Sequence, residues 1–190
     1  MQADQPMFDA KAWQLTNQQQ DLTARARHIG QHKFAGRAAD YDTRAAFPTE
    51  NYSDLFDANL MGICIPKEDG GEGASFLTYA LTAAEIGRYC GATALTWNMH
   101  VCSTLWSGLL TDDLEMDEPT RVLHKHNRAV HYQRILTQGA IYSQPFSEGG
   151  AAAAGAKAFA TVAHKVDGGW RINGKKIFAS LAGHANYYGV

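Results

Sequence analysis

Apolar positions recur at helical spacing through the first part of the chain and alternate with polar ones near its end. Leu15, Leu22, Ala26 and Ile29 form a stripe of 3.6-residue period, with Asp21, Arg25, Arg27 and Lys33 on the wetter side. This predicts a long helix over Phe8–Ala46. Phe47-Pro48 ends it, because the residue before proline avoids the α region. Thr49 is placed to cap a short helix carrying Tyr52, Leu55 and Phe56. Leu60–Pro66 is short and apolar and predicts a buried extended segment. Lys67–Gly73 predicts a loop in which glycines at 70, 71 and 73 permit positive φ. Ser75 caps a helix to Arg88 whose small-residue face, Ala80, Ala83, Ala84 and Gly87, predicts close packing on another helix. Gly91 marks a break. Thr93–Leu110 is almost uncharged and carries Trp97, Met99, Val101, Leu105 and Trp106, so a helix buried on all sides is expected. Asp112, Asp113, Glu115, Asp117 and Glu118 precede Pro119-Thr120, the signature of a helix start, and that helix should reach Leu136.

From Gly139 the pattern changes. Ala140–Ser143 and Phe159–Val166 read as strands, Asp167-Gly168-Gly169 as a hairpin turn and Trp170–Ile172 as its return. Asn173-Gly174 predicts a second tight turn, Lys175–Ser180 a third strand and Asn186–Val190 another beginning. Glu148–Lys157 is rich in glycine and alanine. The class expected is α+β: an all-α domain over 1–138, then the opening strands of an antiparallel β domain over 139–190. So few strands leave an edge and a face uncovered. The β part is therefore expected to be truncated and completed by more chain or by another chain.

Charge and cysteine usage narrow the function. Lys plus Arg number 17 against 19 Asp plus Glu, a net charge of −2, so no excess suggests a non-specific nucleic-acid binder. Cys64, Cys90 and Cys102 are odd in number and sit in apolar surroundings, which suits reduced thiols. No apolar run of about 18 residues predicts a membrane span, and Met1–Pro6 lacks signal-peptide character. A soluble, cytoplasmic protein is expected. His124-Lys125-His126 lacks metal-ligand spacing and reads as a solvated basic face. The acidic run before Pro119 lacks calcium-loop spacing. Cys102 and His100 diverge on a helix and do not make a nucleophile–base pair. Asn98 and His100, polar within an apolar helix, are open to internal hydrogen bonding or to a ligand.

Two stretches carry more chemistry. Tyr142-Ser-Gln-Pro-Phe-Ser147-Glu-Gly-Gly150 and Asn173-Gly-Lys-Lys-Ile-Phe-Ala-Ser180 each place an aromatic ring and a hydroxyl near a strand end beside a glycine turn. Such a ring can stack on a flat heterocycle, and a hydroxyl or backbone N–H can bond its heteroatoms or a phosphate. A structural hairpin also explains each stretch taken alone.

Read together and in order, the segments resemble the acyl-CoA dehydrogenase family over nearly the whole chain. The resemblance runs through Phe47-Pro48, Gly62–Pro66, Gly70-Gly71-Glu72-Gly73, the helix at Ala80–Arg88, Phe146-Ser147-Glu148 and Val166–Ser180. The last piece is the most specific. The resemblance implies an N-terminal helical domain, a middle β-barrel domain begun here, and a C-terminal helical domain. It implies FAD as cofactor, an acyl-CoA thioester as substrate and its oxidation to 2-enoyl-CoA. It further implies an electron-transfer flavoprotein or similar acceptor, and a homo-oligomer, commonly a homotetramer. The family's catalytic base lies in its C-terminal domain, expected beyond Val190, so no catalytic residue is assigned. The family's Thr-Glu-Pro-x-x-Gly-Ser-Asp segment maps onto Ser147–Ala154, with Gly149 in place of proline and Ala152-Ala153 in place of glycine-serine. Its Trp-Ile-Thr maps onto Phe178-Ala179-Ser180. The implied flavin-binding residues are Gln144, Phe146, Ser147, Phe178 and Ser180. Trp97–Leu105 is expected to line part of the acyl cavity. Two other readings stand beside this one: a reduced-flavin monooxygenase of the same superfamily, with Asn98 and His100 facing the flavin, and an inactive truncated module.

Overall fold

The computed structural model describes residues 5–149 and 158–190. Seven helices and four short strands follow in order: α1 Asn17–Ile29, α2 Ala38–Arg44, α3 Thr49–Asp57, α4 Phe76–Gly87, α5 Gly91–Ser107, α6 Leu109–Asp112, α7 Glu118–Gln138, β1 Tyr142–Ser143, β2 Val162–Val166, β3 Gly169–Asn173 and β4 Tyr187–Tyr188. The chain is therefore α+β, with a helical body and an incomplete β part in which no barrel closes among the described residues.

The first helix is shorter and more broken than its periodicity predicts. Residues 10–14 form turns, and Thr16 closes a capping box with Gln19 at the true start. α1 then widens into a π-helical turn over Gly30–Phe34 before α2 begins. Gly30 lies so close to Tyr89 that a β-carbon there would stand 2.2 Å from its ring. A tertiary contact thus coincides with the irregular turn. The break before Phe47-Pro48 is as expected, with Ala45 left-handed at φ 49°. Thr49 is the first residue of α3, and its side chain makes no cap hydrogen bond.

Leu60–Ile65 is buried as predicted but runs as turns, because it wraps under the helices instead of pairing with a strand. Gly70 and Gly73 take the positive φ values of 94° and 59° that the loop requires. Ser75 accepts from the N–H of Thr78 at the start of α4, and Asp117 accepts from that of Thr120 at the start of α7. α4 packs between α1 and α5. A β-carbon on Gly87 would meet that of Ala94 at 3.6 Å, so the small-residue face is where α4 and α5 meet. α5 is not buried all round: Trp97 and Val101 are fully buried, while Leu95 and Trp106 are exposed. The chain breaks at Gly108 before α6, so the helix predicted to Leu110 stops at Ser107.

β1 pairs in parallel with β4, and β2 pairs antiparallel with β3. The predicted third strand does not form. β3 ends at Asn173, and Lys175–Ser180 runs as irregular chain toward residues 143–148. The turn at Asn173-Gly174 therefore does not return a hairpin; Gly174 passes close over Thr161. One core unites Leu22, Phe34, Leu55, Ile63, Trp97 and Ile135 with Tyr142 and Leu181 from the β part.

Candidate functional site

α5, α7 and β1 meet beside the segment at 187–189, and a cavity of about 290 Å³ lies between them. Ser103, Thr104 and Ser107 line it from α5, and His131, Tyr132 and Ile135 from α7. Tyr142, Gln144, Tyr187, Tyr188 and Gly189 complete the wall. Only the last residues of the predicted Trp97–Leu105 stretch reach it. Trp97 instead donates to the Leu60 carbonyl at 3.0 Å inside the core.

His100 is fully buried, and both ring nitrogens are engaged. The Tyr142 N–H donates to Nδ1 at 3.0 Å, which leaves Nε2 to carry the proton and donate to the Met61 carbonyl at 3.0 Å. Burial lowers its pKa to about 4, against the opposing pull of the Met61 carbonyl. Of the two roles open to this residue, the internal one is what the geometry provides. His131 sits on the cavity with Nδ1 2.9 Å from the Tyr142 hydroxyl. Burial, then the nearby Arg134 charge, lowers its pKa. Tyr142 in turn stacks on Tyr187 with centroids 4.9 Å apart.

The two stretches singled out by sequence run side by side. The Ser143 hydroxyl donates to the Ser180 carbonyl at 2.6 Å, and the Ile177 N–H donates to the Ser147 carbonyl at 2.8 Å. Glu148, buried, accepts from the N–H groups of Ala160 and Thr161 at 2.6 and 3.0 Å and pairs with the Lys176 ammonium at 2.9 Å. The Thr161 side chain, then Lys176 and these N–H groups, hold its carboxyl down to about 2 against burial. Gln144 donates to the Gly189 carbonyl at 3.3 Å on the cavity wall. Phe146 wedges edge-on between Trp106, at 5.0 Å, and Phe159, at 4.8 Å. The Phe178 ring is 83% exposed on a left-handed residue at φ 53°. Ser180 contributes its carbonyl to the Ser143 bond. The alanine run to which the glycine-serine pair was mapped lies outside the described residues.

Ser143 was missed by sequence reasoning as a member of this group. Its signal was a hydroxyl and a proline flanking Gln144 at a strand end. The His124 ring is 3.0 Å from the Ser107 carbonyl, so that residue is not simply solvated. Among the described residues no group of three His, Cys, Asp or Glu side chains could hold a metal ion, and no helix is long and apolar enough to cross a membrane.

Residues 16–109, which build α1 to α5, match the model of the acyl-CoA dehydrogenase N-terminal domain. Over 188 residues, 97% of this chain, 28% are identical to a probable acyl-CoA dehydrogenase of Mycobacterium leprae, of which 44% is covered. The chain belongs to the acyl-CoA dehydrogenase family. It matches the N-terminal region of that family, and covers less than half the length of the relatives it matches. A further family relative, the 3-sulfinopropanoyl-CoA desulfinase of Variovorax paradoxus, is 41% identical over 78 residues, covering 41% of this chain and 20% of that one. Butyryl-CoA dehydrogenase of Megasphaera elsdenii superposes with a TM-score of 0.71 at 23% identity, over 91% of this chain and 43% of that one. Nitrososynthase of Micromonospora carbonacea var. africana superposes at 0.73 and 21%, over 92% and 41%. These superpositions establish the acyl-CoA dehydrogenase fold and leave the reaction open.

Proposed function

We propose that this chain forms part of an FAD-dependent acyl-CoA dehydrogenase that oxidises a thioester to its 2-enoyl-CoA. The observation that carries this reading is the pairing of residues 143–148 with 176–180 beside a cavity walled by α5. An α,β-dehydrogenation needs a flat redox ring and an acyl chain side by side, and this arrangement offers a surface for each. The residues fit a flavin: Phe178 leaves an aromatic face open, and serine hydroxyls and an amide lie on the adjoining segments. When bound, the flavin would accept the hydride. Phe178 would pack on its ring, and Gln144, Phe146, Ser147 and Ser180 would surround it. Glu148 is committed to Lys176 and to two backbone N–H groups, so it acts as a clamp on the site and not as the base.

The family's hydroxyl–acid–proline triplet also admits a register on Ser143-Gln144-Pro145, which keeps the proline. The bond from Ser143 to Ser180 supports it, since it ties the two implied flavin segments at those residues. An electron-transfer flavoprotein or similar acceptor would reoxidise the flavin, and copies of the chain would associate. The monooxygenase reading drew on Asn98 and His100, and of these the His100 ring is spent on Met61 and Tyr142.

The test is an anaerobic titration of the product of the full reading frame with acyl-CoAs, following flavin absorbance. Bleaching supports dehydrogenation. A flavin that stays oxidised with every acyl-CoA yet reacts with oxygen after chemical reduction overturns it. Retained flavin should fall in Ser180→Ala, and a comparison of Ser143→Ala with Ser147→Ala decides the register.

A further inference from the structure

The two stretches proposed to face a flavin run antiparallel, with residue 176 against 146–148, 177 against 147 and 180 against 143. No strand ladder forms between them among the described residues. A backbone bond from the Ile177 N–H to the Ser147 carbonyl is supplemented by side chains at either end. At one end the Ser143 hydroxyl donates to the Ser180 carbonyl at 2.6 Å. At the other the Lys176 ammonium reaches three groups. It pairs with Glu148 at 2.9 Å, donates to the Phe146 carbonyl at 3.3 Å and stands 4.4 Å from the centre of the Phe159 ring. The Lys176 side chain is 15% exposed and that of Glu148 5%, so solvent screens the pair little. Glu148 in turn holds the N–H groups of Ala160 and Thr161. One ammonium thus draws together three separate lengths of chain.

Phe178 lies between the two ends. Its φ of 53° is left-handed, and its ring is 83% exposed. A bulky L-residue keeps that backbone only where its surroundings hold it there. A ring so exposed cannot supply the restraint through its own packing. The restraint comes from the flanks, with Lys176 and Ile177 tied before Phe178 and Ser180 tied after it.

We infer that Lys176 is a positioning residue of the flavin site: by clasping Glu148 and the Phe146 carbonyl, it holds Phe178 in the left-handed turn that presents its ring. This rests on the flavin reading above and deepens it by naming what presents the ring. Lys176 acts through Phe178 and needs no contact with the flavin itself.

The experiment is a titration of the flavin-free product of the full reading frame with FAD, following flavin fluorescence and recording the thermal midpoint alongside. Lys176→Met should weaken FAD binding about tenfold. Lys176→Arg, which keeps the charge and its donors, should retain most of the affinity. The deciding comparison is made in a Phe178→Ala background. There the ring is already gone, so Lys176→Met should weaken FAD binding little further. A merely structural Lys176 would instead weaken binding equally in both backgrounds while lowering the thermal midpoint. Should Lys176→Met alone not fold, the double variant Lys176→Met/Glu148→Gln strands no buried carboxylate and carries the same expectations. Full FAD affinity without the Lys176 ammonium, or an equal loss with and without the Phe178 ring, overturns this inference and leaves the flavin reading standing. A wild-type protein that takes up no FAD overturns both.

Discussion

His100 joins three elements through one ring, so its protonation is coupled to the fold. Its Nδ1 must stay bare to accept from Tyr142, and a proton there would break that bond inside a core that cannot solvate the charge. The folded pKa, about 4, lies below the ordinary 6.5. The unfolded chain therefore takes up the proton first as pH falls. The stabilisation is full above about 6.5 and is lost progressively toward about 4, a change of ~3 kcal/mol. Denaturant unfolding across that window should show the loss, and His100→Phe should flatten it. His100→Ala leaves the Met61 carbonyl and Tyr142 N–H unpaired and should cost about 2–4 kcal/mol at pH 7. Glu148 acts in a separate, lower window. Its folded pKa, about 2, is below the ordinary 4.5, so its contribution is present above that value and is lost as pH falls toward 2. Glu148→Gln should lower the thermal midpoint at pH 7, and the gap from wild type should close as the solution is acidified below about 4.5. A gap that persists at pH 2 would mean that the clamp acts through packing instead of charge.

Elements whose signals are local were legible in the sequence, and those shaped by distant neighbours were not. The starts of α4 and α7 followed from Ser75 and from the acidic run before Pro119, because such signals are read within about one turn of helix. The irregular turn after α1 was invisible, since Tyr89, nearly sixty residues on, occupies the space beside Gly30. Asn173-Gly174 carried a strong hairpin signal, yet Glu148 and Ser147 engage the chain that follows it and the third strand never forms. The candidate site divides in the same way. The two stretches proposed to face a flavin stood out as ring, hydroxyl and glycine, and they do run together. His131 could not be found, because its place on the cavity, 2.9 Å from the Tyr142 hydroxyl, exists only once α7 is set against β1. Two substitutions test the local and distant causes side by side. Thr16→Ala removes the α1 cap and should cost about 1 kcal/mol. Gly30→Ala drives a β-carbon into the Tyr89 ring and should cost about 1–3 kcal/mol in the same denaturant titration. In a Tyr89→Ala background the Gly30→Ala cost should largely vanish, which would assign the penalty to that contact and not to helix propensity.

At the scale of the whole molecule, the change in residue pattern at Gly139 does not coincide with a change in packing. Ala140, Tyr142 and Leu181 belong to the same buried cluster as Leu22 and Trp97. The Phe47 ring stacks on His184 at 4.0 Å, and Asn186 bonds the backbone of Ile141 through both its side chain and its own N–H. β1 and β4 are thus fastened to the helices. The hairpin of β2 and β3 differs, since every one of its positions is exposed. Its ladder is exposed on both faces and no side chain in it is buried to hold it closed, so it should open at little cost. Native-state hydrogen exchange on this chain separates the two cases. The Tyr142 amide, which donates to buried His100, should exchange only with the helical core amides of Trp97 and Val101. Amides in the β2–β3 ladder should exchange at least ~100-fold faster, through local opening. If Tyr142 exchanged with the hairpin instead, the pattern change at Gly139 would mark an energetic boundary as well, and the cavity wall it contributes would form and dissolve independently of α5.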